Sequence, residues 1–306
     1  MTFFDHLKNI FIILIFLQIA PSLFEGIWRQ YSKYVMPRPK FALIEIKGIM
    51  RNSDRTIKYL NRYFKNDSIK AIMLKMECPG SASGSAYAVF NEIMTLKKEY
   101  PAKPIITLVE NVCASGGYYI ACATDSIVAP ACALIGSIGA SLPFLFQLQD
   151  FIEEYKIKYV PIKAGTYKDA TDPFVEISEG DKAMLQNVID DTYNQFVQDV
   201  VDTRKVSLAE QKNWAEGRLF TGRQARANGL IDLVGSASDA LTLLKEKALI
   251  EKDVEVEWVR PVKRTGIWSL FSKGQEDEES KSMFFSSLAN SLCNTFENRY
   301  LTKRLF

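Results

Sequence analysis

The chain has 306 residues, of which 47% are apolar and 24% charged, with 38 Lys and Arg set against 36 Asp and Glu. That composition supplies a sizeable globular core, and a net charge of +2 with dispersed basic residues excludes a nucleic-acid-binding stripe. The five cysteines, Cys78, Cys113, Cys122, Cys132 and Cys293, contain no C-x-x-C spacing, and the single histidine is His6, so a zinc site and a Ser-His-Asp triad are both excluded.

Residues 10–24 form an uncharged segment that opens with eight apolar residues. Fifteen helical residues reach about 22 Å against a hydrocarbon core of about 30 Å, so Lys8 on one side and Trp28 and Tyr31 on the other are needed to complete a span. No A-x-A pattern follows, and the expectation is a single uncleaved transmembrane helix. Arg29, Lys33, Arg38 and Lys40 follow this segment, a bias that by the positive-inside rule places the remaining chain in the cytoplasm.

After the stiff linker Pro37-Arg38-Pro39, apolar or β-branched runs predict strands over residues 41–46, 71–76, 105–109, 126–129 and 159–162. Helical patterns fall between most of them. Residues 84–100 place Tyr87, Phe90, Ile93, Met94 and Tyr100 near one helical face, and Ser178 caps a long helix that runs to residue 204. A short helix over 207–214, a loop over 216–222, a helix over 236–250 and a strand over 254–259 complete an α/β domain with mainly parallel pairing. Residues 272–282, with Glu276-Asp277-Glu278-Glu279, read as an acidic linker, and 283–306 as an amphipathic tail. The expected organisation is anchor and linker over 1–39, a catalytic domain over 40–260, and linker and tail over 261–306.

Three loops carry candidate chemistry. Ser115 stands between the strand at 105–109 and the turn Gly116-Gly117, where the unpaired amides of a helix start can stabilise an oxyanion. The strand at 71–76 ends in Glu77-Cys78-Pro79-Gly80-Ser81, and the amide of either Gly80 or Ser81 is positioned to serve as a second donor. Lys168, in Ala164-Gly165-Thr166-Tyr167-Lys168, follows the predicted strand at 159–162. A lysine in an apolar pocket loses charge and becomes a base for serine. Spacing alone does not separate Lys168 from Lys163.

These motifs, with Ile135-Gly136-Ser137-Ile138-Gly139, Pro173-Phe174, Leu219-Phe220-Thr221-Gly222-Arg223 and Gly229-Leu230-Ile231-Asp232, resemble in order and spacing the short, single-domain members of the signal peptide peptidase A family of Ser-Lys peptidases. The resemblance covers residues 41–250. It implies an α/β ClpP/crotonase-like domain of repeated β-β-α units behind an N-terminal transmembrane helix. Ser115 would be the nucleophile, Lys168 the general base, Gly80 and Gly116 the oxyanion hole, and Ser137 the residue that orients the lysine.

No cofactor or metal is called for. The resemblance further implies peptide substrates with small or apolar side chains, such as signal-peptide remnants, and a homo-oligomeric ring or dome. It also implies a single-pass protein of the bacterial inner membrane with its catalytic domain outside the cytoplasm, opposite to the charge bias. The family pattern Ser-Pro-Gly-Gly is here Cys78-Pro79-Gly80-Ser81. Two other functions use parts of the same pattern: a crotonase-type acyl-CoA enzyme, which shares the two-amide oxyanion site, and an inert membrane scaffold.

Overall fold

The computed structural model describes residues 38–142 and 145–261, together with residues 15, 16, 18, 20, 21 and 24, all helical. The rest of the expected anchor, the acidic linker and the tail lie outside the described residues. Among the described residues no helix is long and apolar enough to cross a membrane.

In chain order the elements are β1 (Lys40–Lys47), α1 (Asp54–Phe64), β2 (Ile69–Cys78), α2 (Ser83–Glu99), β3 (Ile105–Ala114), α3 (Gly116–Cys122), β4 (Ser126–Ala129) and β5 (Leu134–Gly136). They continue as α4 (Gln149–Glu154), α5 (Glu179–Arg204), a 3-10 turn (Leu208–Glu210), α6 (Gln211–Trp214), β6 (Leu219–Thr221), α7 (Gly222–Ala227), β7 (Leu233–Val234), α8 (Ala237–Lys247) and β8 (Glu257–Val259). The strands form one sheet in the order β6-β5-β3-β2-β1-β8, with β4 and β7 branching from β3. Every pair is parallel except β5 with β6.

Alternation along the strands divides the core. Ala42, Ile44, Ile46, Ile72, Leu74 and Met76 face one way and join Leu60, Val89, Ile93, Tyr118 and Val200 from the helices in one buried cluster. Phe41, Leu43, Ala71, Met73, Ile106 and Leu108 face the other way and meet Ala240 and Leu244 of α8. This is a mixed α/β fold with helices on both faces.

The long helix expected from residue 178 is α5, and Ser178 is its N-cap. The Ser178 hydroxyl accepts the Asp181 amide at 3.1 Å while the Asp181 carboxylate accepts the Ser178 amide at 3.0 Å. At its far end Arg204, 7% exposed in its side chain, pairs with Asp232 at 2.8 Å and also donates to the Gly229 carbonyl at 3.3 Å. Asp232 in turn accepts the Ile127 amide at 2.7 Å, so the motif at 229–232 ties α5 to β4.

Two expectations need correction, and two elements had no expectation. Residues 159–162 form no strand: Val160 is 77% and Ile162 98% exposed, and a β-branched run without a sheet edge or burial has nothing to pair with. The expected loop at 216–222 contains β6, which pairs antiparallel with β5. The stretch at 134–136 is a strand as well, too short for alternation to reveal it. Helix α1 was also missed, because its buried Thr56, Leu60, Tyr63 and Phe64 are interleaved with Arg55, Lys58 and Arg62.

Candidate active site

Strand β3 changes partner along its length. Ile106, Thr107 and Leu108 pair with β4, whereas Val112, Cys113 and Ala114 pair with β5 and end on Ala114 opposite Gly136. Ser115 is the next residue, and its backbone turns sharply to φ 52°, ψ −128°. A non-glycine residue in that region costs about 1–3 kcal/mol and persists only where its surroundings enforce it. Here the Ser115 amide donates to the Gly136 carbonyl at 2.8 Å, and the Ser115 carbonyl accepts the Tyr119 amide at 3.0 Å.

Helix α3, whose seven residues are all buried, anchors the turn. The Tyr118 hydroxyl donates to the Leu230 carbonyl at 2.8 Å. Tyr119 stacks on Phe196 with ring centroids 4.3 Å apart, and its hydroxyl donates to the Asp199 carboxylate. The arrangement is a strand-turn-helix elbow that presents a serine hydroxyl, and the Ser115 hydroxyl makes no hydrogen bond to another described residue.

The loop after β2 packs directly against this elbow. A β-carbon on Gly117 would lie 2.6 Å from the Cys78 carbonyl oxygen, and one on Gly116 would lie 2.0 Å from Ser81 Oγ, so each glycine is required by a close approach. Residues 48–52 brace the loop from its other side. The Met50 amide donates to the Gly80 carbonyl at 3.2 Å, the Ala82 amide to the Met50 carbonyl at 3.0 Å, and the Cys78 thiol to the Gly80 carbonyl at 3.0 Å. The amides of Gly80 and Ser81 donate to no other described residue.

Ser137 follows Gly136 and therefore sits one step beyond the last β3–β5 pair, as Ser115 does on the neighbouring strand. It too has a positive φ, 51°, held by its amide bond of 2.7 Å to the Arg218 carbonyl. The structure thus brings Ser115, Gly80, Gly116 and Ser137 to one end of the sheet.

Lys168 lies elsewhere in its surroundings. It is exposed in a turn closed by its amide bond to the Gly165 carbonyl at 3.3 Å, and it lines a cavity of about 550 Å³ with Tyr159, Lys163, Asp169, Asp172 and Phe174. None of the other four candidate residues lines that cavity. The expected apolar burial of Lys168 is not formed within the single chain, where the residue is exposed. Lys163 is engaged with Asp169 at 2.5 Å, whose second carboxylate oxygen is buried without a partner, while Lys168 Nζ makes no hydrogen bond to a described residue. The Tyr159 hydroxyl, 2.5 Å from Asp172, holds that carboxyl below its ordinary range.

Thiols close to the site are chemically silenced. Burial raises the Cys78 thiol, raises Cys113 strongly and pushes Cys122 up to about 12, so all three stay protonated and none is a ready thiolate. Burial also raises Tyr118 and Tyr119, which leaves the Ser115 hydroxyl as the nucleophile candidate at the elbow. Among the described residues no group of three or more His, Cys, Asp and Glu could hold a metal ion.

Sequence reasoning missed the contact of Ser81 with Gly116 and the role of Gly136 as the carbonyl that fixes Ser115. The Leu134-Ile135 pair before Gly136 was the only local signal of a strand there.

Comparison with known proteins identifies a family. Residues 97–251 match the family model described as Peptidase family S49. A candidate protease of Methanocaldococcus jannaschii is 32% identical over 202 residues, covering 66% of this chain and 64% of that protein. A candidate protease of Synechocystis sp. is 30% identical over 74% of this chain and 81% of its own length. A candidate signal peptide peptidase SppA of Enterococcus faecium is 31% identical over 66% of this chain and 58% of its own. The match thus spans somewhat less than two thirds of the first and third of these relatives. With an S49 model over half its length and the serine elbow in place, the chain belongs to the SppA-like peptidases of family S49.

Proposed function

We propose that this protein is a membrane-anchored serine endopeptidase in which Lys168 is the base for Ser115. The observation that carries the reading is the Ser115 elbow at φ 52°, braced against the Gly80 loop in a chain whose single histidine is His6. As Ser115 Oγ bonds to a peptide carbonyl carbon, its proton passes to Lys168 and the carbonyl electron pair moves onto oxygen, where the amides of Gly80 and Gly116 receive it. The C–N bond then breaks, with the proton going from Lys168 to the leaving amine. Water hydrolyses the acyl-enzyme. Ser137, in register beside Ser115, orients the lysine.

Lys168 is preferred over Lys163 because Lys163 is already paired with Asp169. A lysine base has to be uncharged, and withdrawal from water achieves this. Exposed Ile162 and Phe174 line the cavity with Lys168 and exposed Tyr167 precedes it in the chain, an apolar surface suited to cover by a second copy of this chain. A homo-oligomer that buries this segment would desolvate Lys168.

Residues 10–24 provide the anchor, and we place the protein in a bacterial inner membrane with its catalytic domain outside the cytoplasm. Peptides with small or apolar side chains, including signal-peptide remnants, are the proposed substrates. The test is cleavage of such a peptide by the full-length chain and by Ser115→Ala and Lys168→Ala, where losses of at least about a thousandfold are expected in both variants. Undiminished activity in Ser115→Ala would end the serine reading, and undiminished activity in Lys168→Ala would end the dyad.

A further inference from the structure

Ser81, one of the two positions at which this chain departs from the pattern Ser-Pro-Gly-Gly, touches the start of the nucleophile's helix. A β-carbon on Gly116 would lie 2.0 Å from Ser81 Oγ and 3.0 Å from both Ser81 Cβ and the Ser81 nitrogen. Since a carbon–carbon bond spans about 1.5 Å, the Ser81 hydroxyl stands within about 3.5 Å of Gly116 Cα. On the other side of the loop Gly80 faces Ser115, with its β-carbon position 3.9 Å from Ser115 Oγ. Ser81 thus touches Gly116, which follows the nucleophile, and is next in the chain to Gly80, which faces it.

The Ser81 hydroxyl is not committed. Its single hydrogen bond runs to the exposed carbonyl of the adjacent Ala82 at 3.2 Å, a long neutral contact. The bridge to Met50 engages the Gly80 carbonyl and the Ala82 amide, so neither backbone group of Ser81 is spent on it. Rotation about one side-chain torsion would exchange the Ala82 contact for a charge-assisted bond to a developing anion, which is shorter and stronger. Side-chain hydroxyls are recognised contributors to oxyanion stabilisation alongside backbone amides.

We propose that the Ser81 hydroxyl is a third donor to the oxyanion formed when Ser115 attacks its substrate. This rests on the reading of Ser115 as the nucleophile. In the attack the Ser115 Oγ–carbon bond forms, the proton leaves for Lys168, and the carbonyl pair becomes the oxyanion. Ser81 donates its hydrogen bond to that oxygen and keeps its own proton throughout. Because the charge exists only after attack, the contribution falls on kcat and spares KM.

The experiment uses the full-length chain with Ser81→Ala, Ser81→Gly and Ser81→Thr, measuring kcat and KM on a chromogenic peptide and inhibition by a peptide aldehyde. The aldehyde adds Ser115 Oγ to its carbonyl and so reproduces the oxyanion. Ser81→Ala and Ser81→Gly are expected to lower kcat about tenfold or more at unchanged KM and to weaken the aldehyde by the same factor, while Ser81→Thr retains most of both. Unchanged kcat and aldehyde inhibition in Ser81→Ala and Ser81→Gly would overturn the proposal, as would Ser81→Thr losing as much as Ser81→Ala, which marks a packing role. Ser115→Ala is assayed alongside. If it is inactive while Ser81→Ala is normal, only the Ser81 role fails; if it is active, the nucleophile assignment itself fails.

Discussion

Gly80 and Ser115 face each other across the two loops at the end of β2 and β3: a β-carbon on Gly80 would stand 3.7 Å from Ser115 Cβ and 3.9 Å from Ser115 Oγ. These are ordinary contact distances, and Gly80 does not have a positive φ, so alanine fits without strain. The added methyl would nevertheless occupy the space beside the hydroxyl that a substrate carbonyl needs. Gly80→Ala is expected to keep or slightly raise stability, by up to about 1 kcal/mol, and to lower kcat/KM by about a hundredfold or more. Thermal unfolding and peptide cleavage on the same sample check both halves.

Gly117→Ala should do the reverse. Its methyl would meet the Cys78 carbonyl oxygen at 2.6 Å and Cys78 Cβ at 3.0 Å, and a backbone oxygen inside a sheet cannot swing aside. Denaturant unfolding should show a loss of about 1–3 kcal/mol. Truncating the Cys78 side chain should not restore it, because the closest contact is with the main chain.

Tyr118→Phe removes the buried hydroxyl that donates to the Leu230 carbonyl at 2.8 Å while leaving the ring in place. A buried acceptor that loses its donor costs about 1–3 kcal/mol. The expected result is a lower denaturation midpoint, with activity below the midpoint falling less than in Gly80→Ala.

Alkali should destabilise the fold through its buried thiols. Burial raises Cys122 from an ordinary value of 9.0 to about 12, so between those values the folded chain holds a proton that the unfolded chain releases. Stability from this group is complete below pH 9.0 and is lost as pH rises toward about 12, by up to about 1.4 kcal/mol per pH unit. Cys113 and Tyr118, raised by burial as well, act in the same direction. Cys122→Ala should show a shallower alkaline decline than the parent chain in urea titrations across this window. An equal decline would show that the thiol does not titrate as described.

Much of this was legible from the chain. The runs at 71–76 and 105–109 announce themselves because both faces of a parallel strand are buried, and the strands built on them extend further, over Ile69–Cys78 and Ile105–Ala114. Ser178 announced α5 through its capping chemistry, and Ser115 announced the elbow through Gly116-Gly117. The pieces that escaped are those whose structure is imposed by partners distant in sequence. Strand β5 is three residues long and exists because β3 and β6 flank it, and residues 159–162 look like a strand but find no edge. The positive φ of Ser115 and Ser137 belongs to the same class, since local sequence gives neither residue a reason to leave the strand region.

The split pairing of β3 also orders events in time. The Ser115 amide rests on the Gly136 carbonyl, the Ser137 amide rests on the Arg218 carbonyl, and β5 is sandwiched between β3 and β6. A ribosome that has delivered Ser115 has therefore not yet delivered the segment that holds its turn shut. The β5 edge that carries the Gly136 carbonyl gains its second neighbour only when the strand at Leu219–Thr221 emerges. Synthesis from the amino terminus thus delivers the serine well before the strand that completes the edge on which its turn rests.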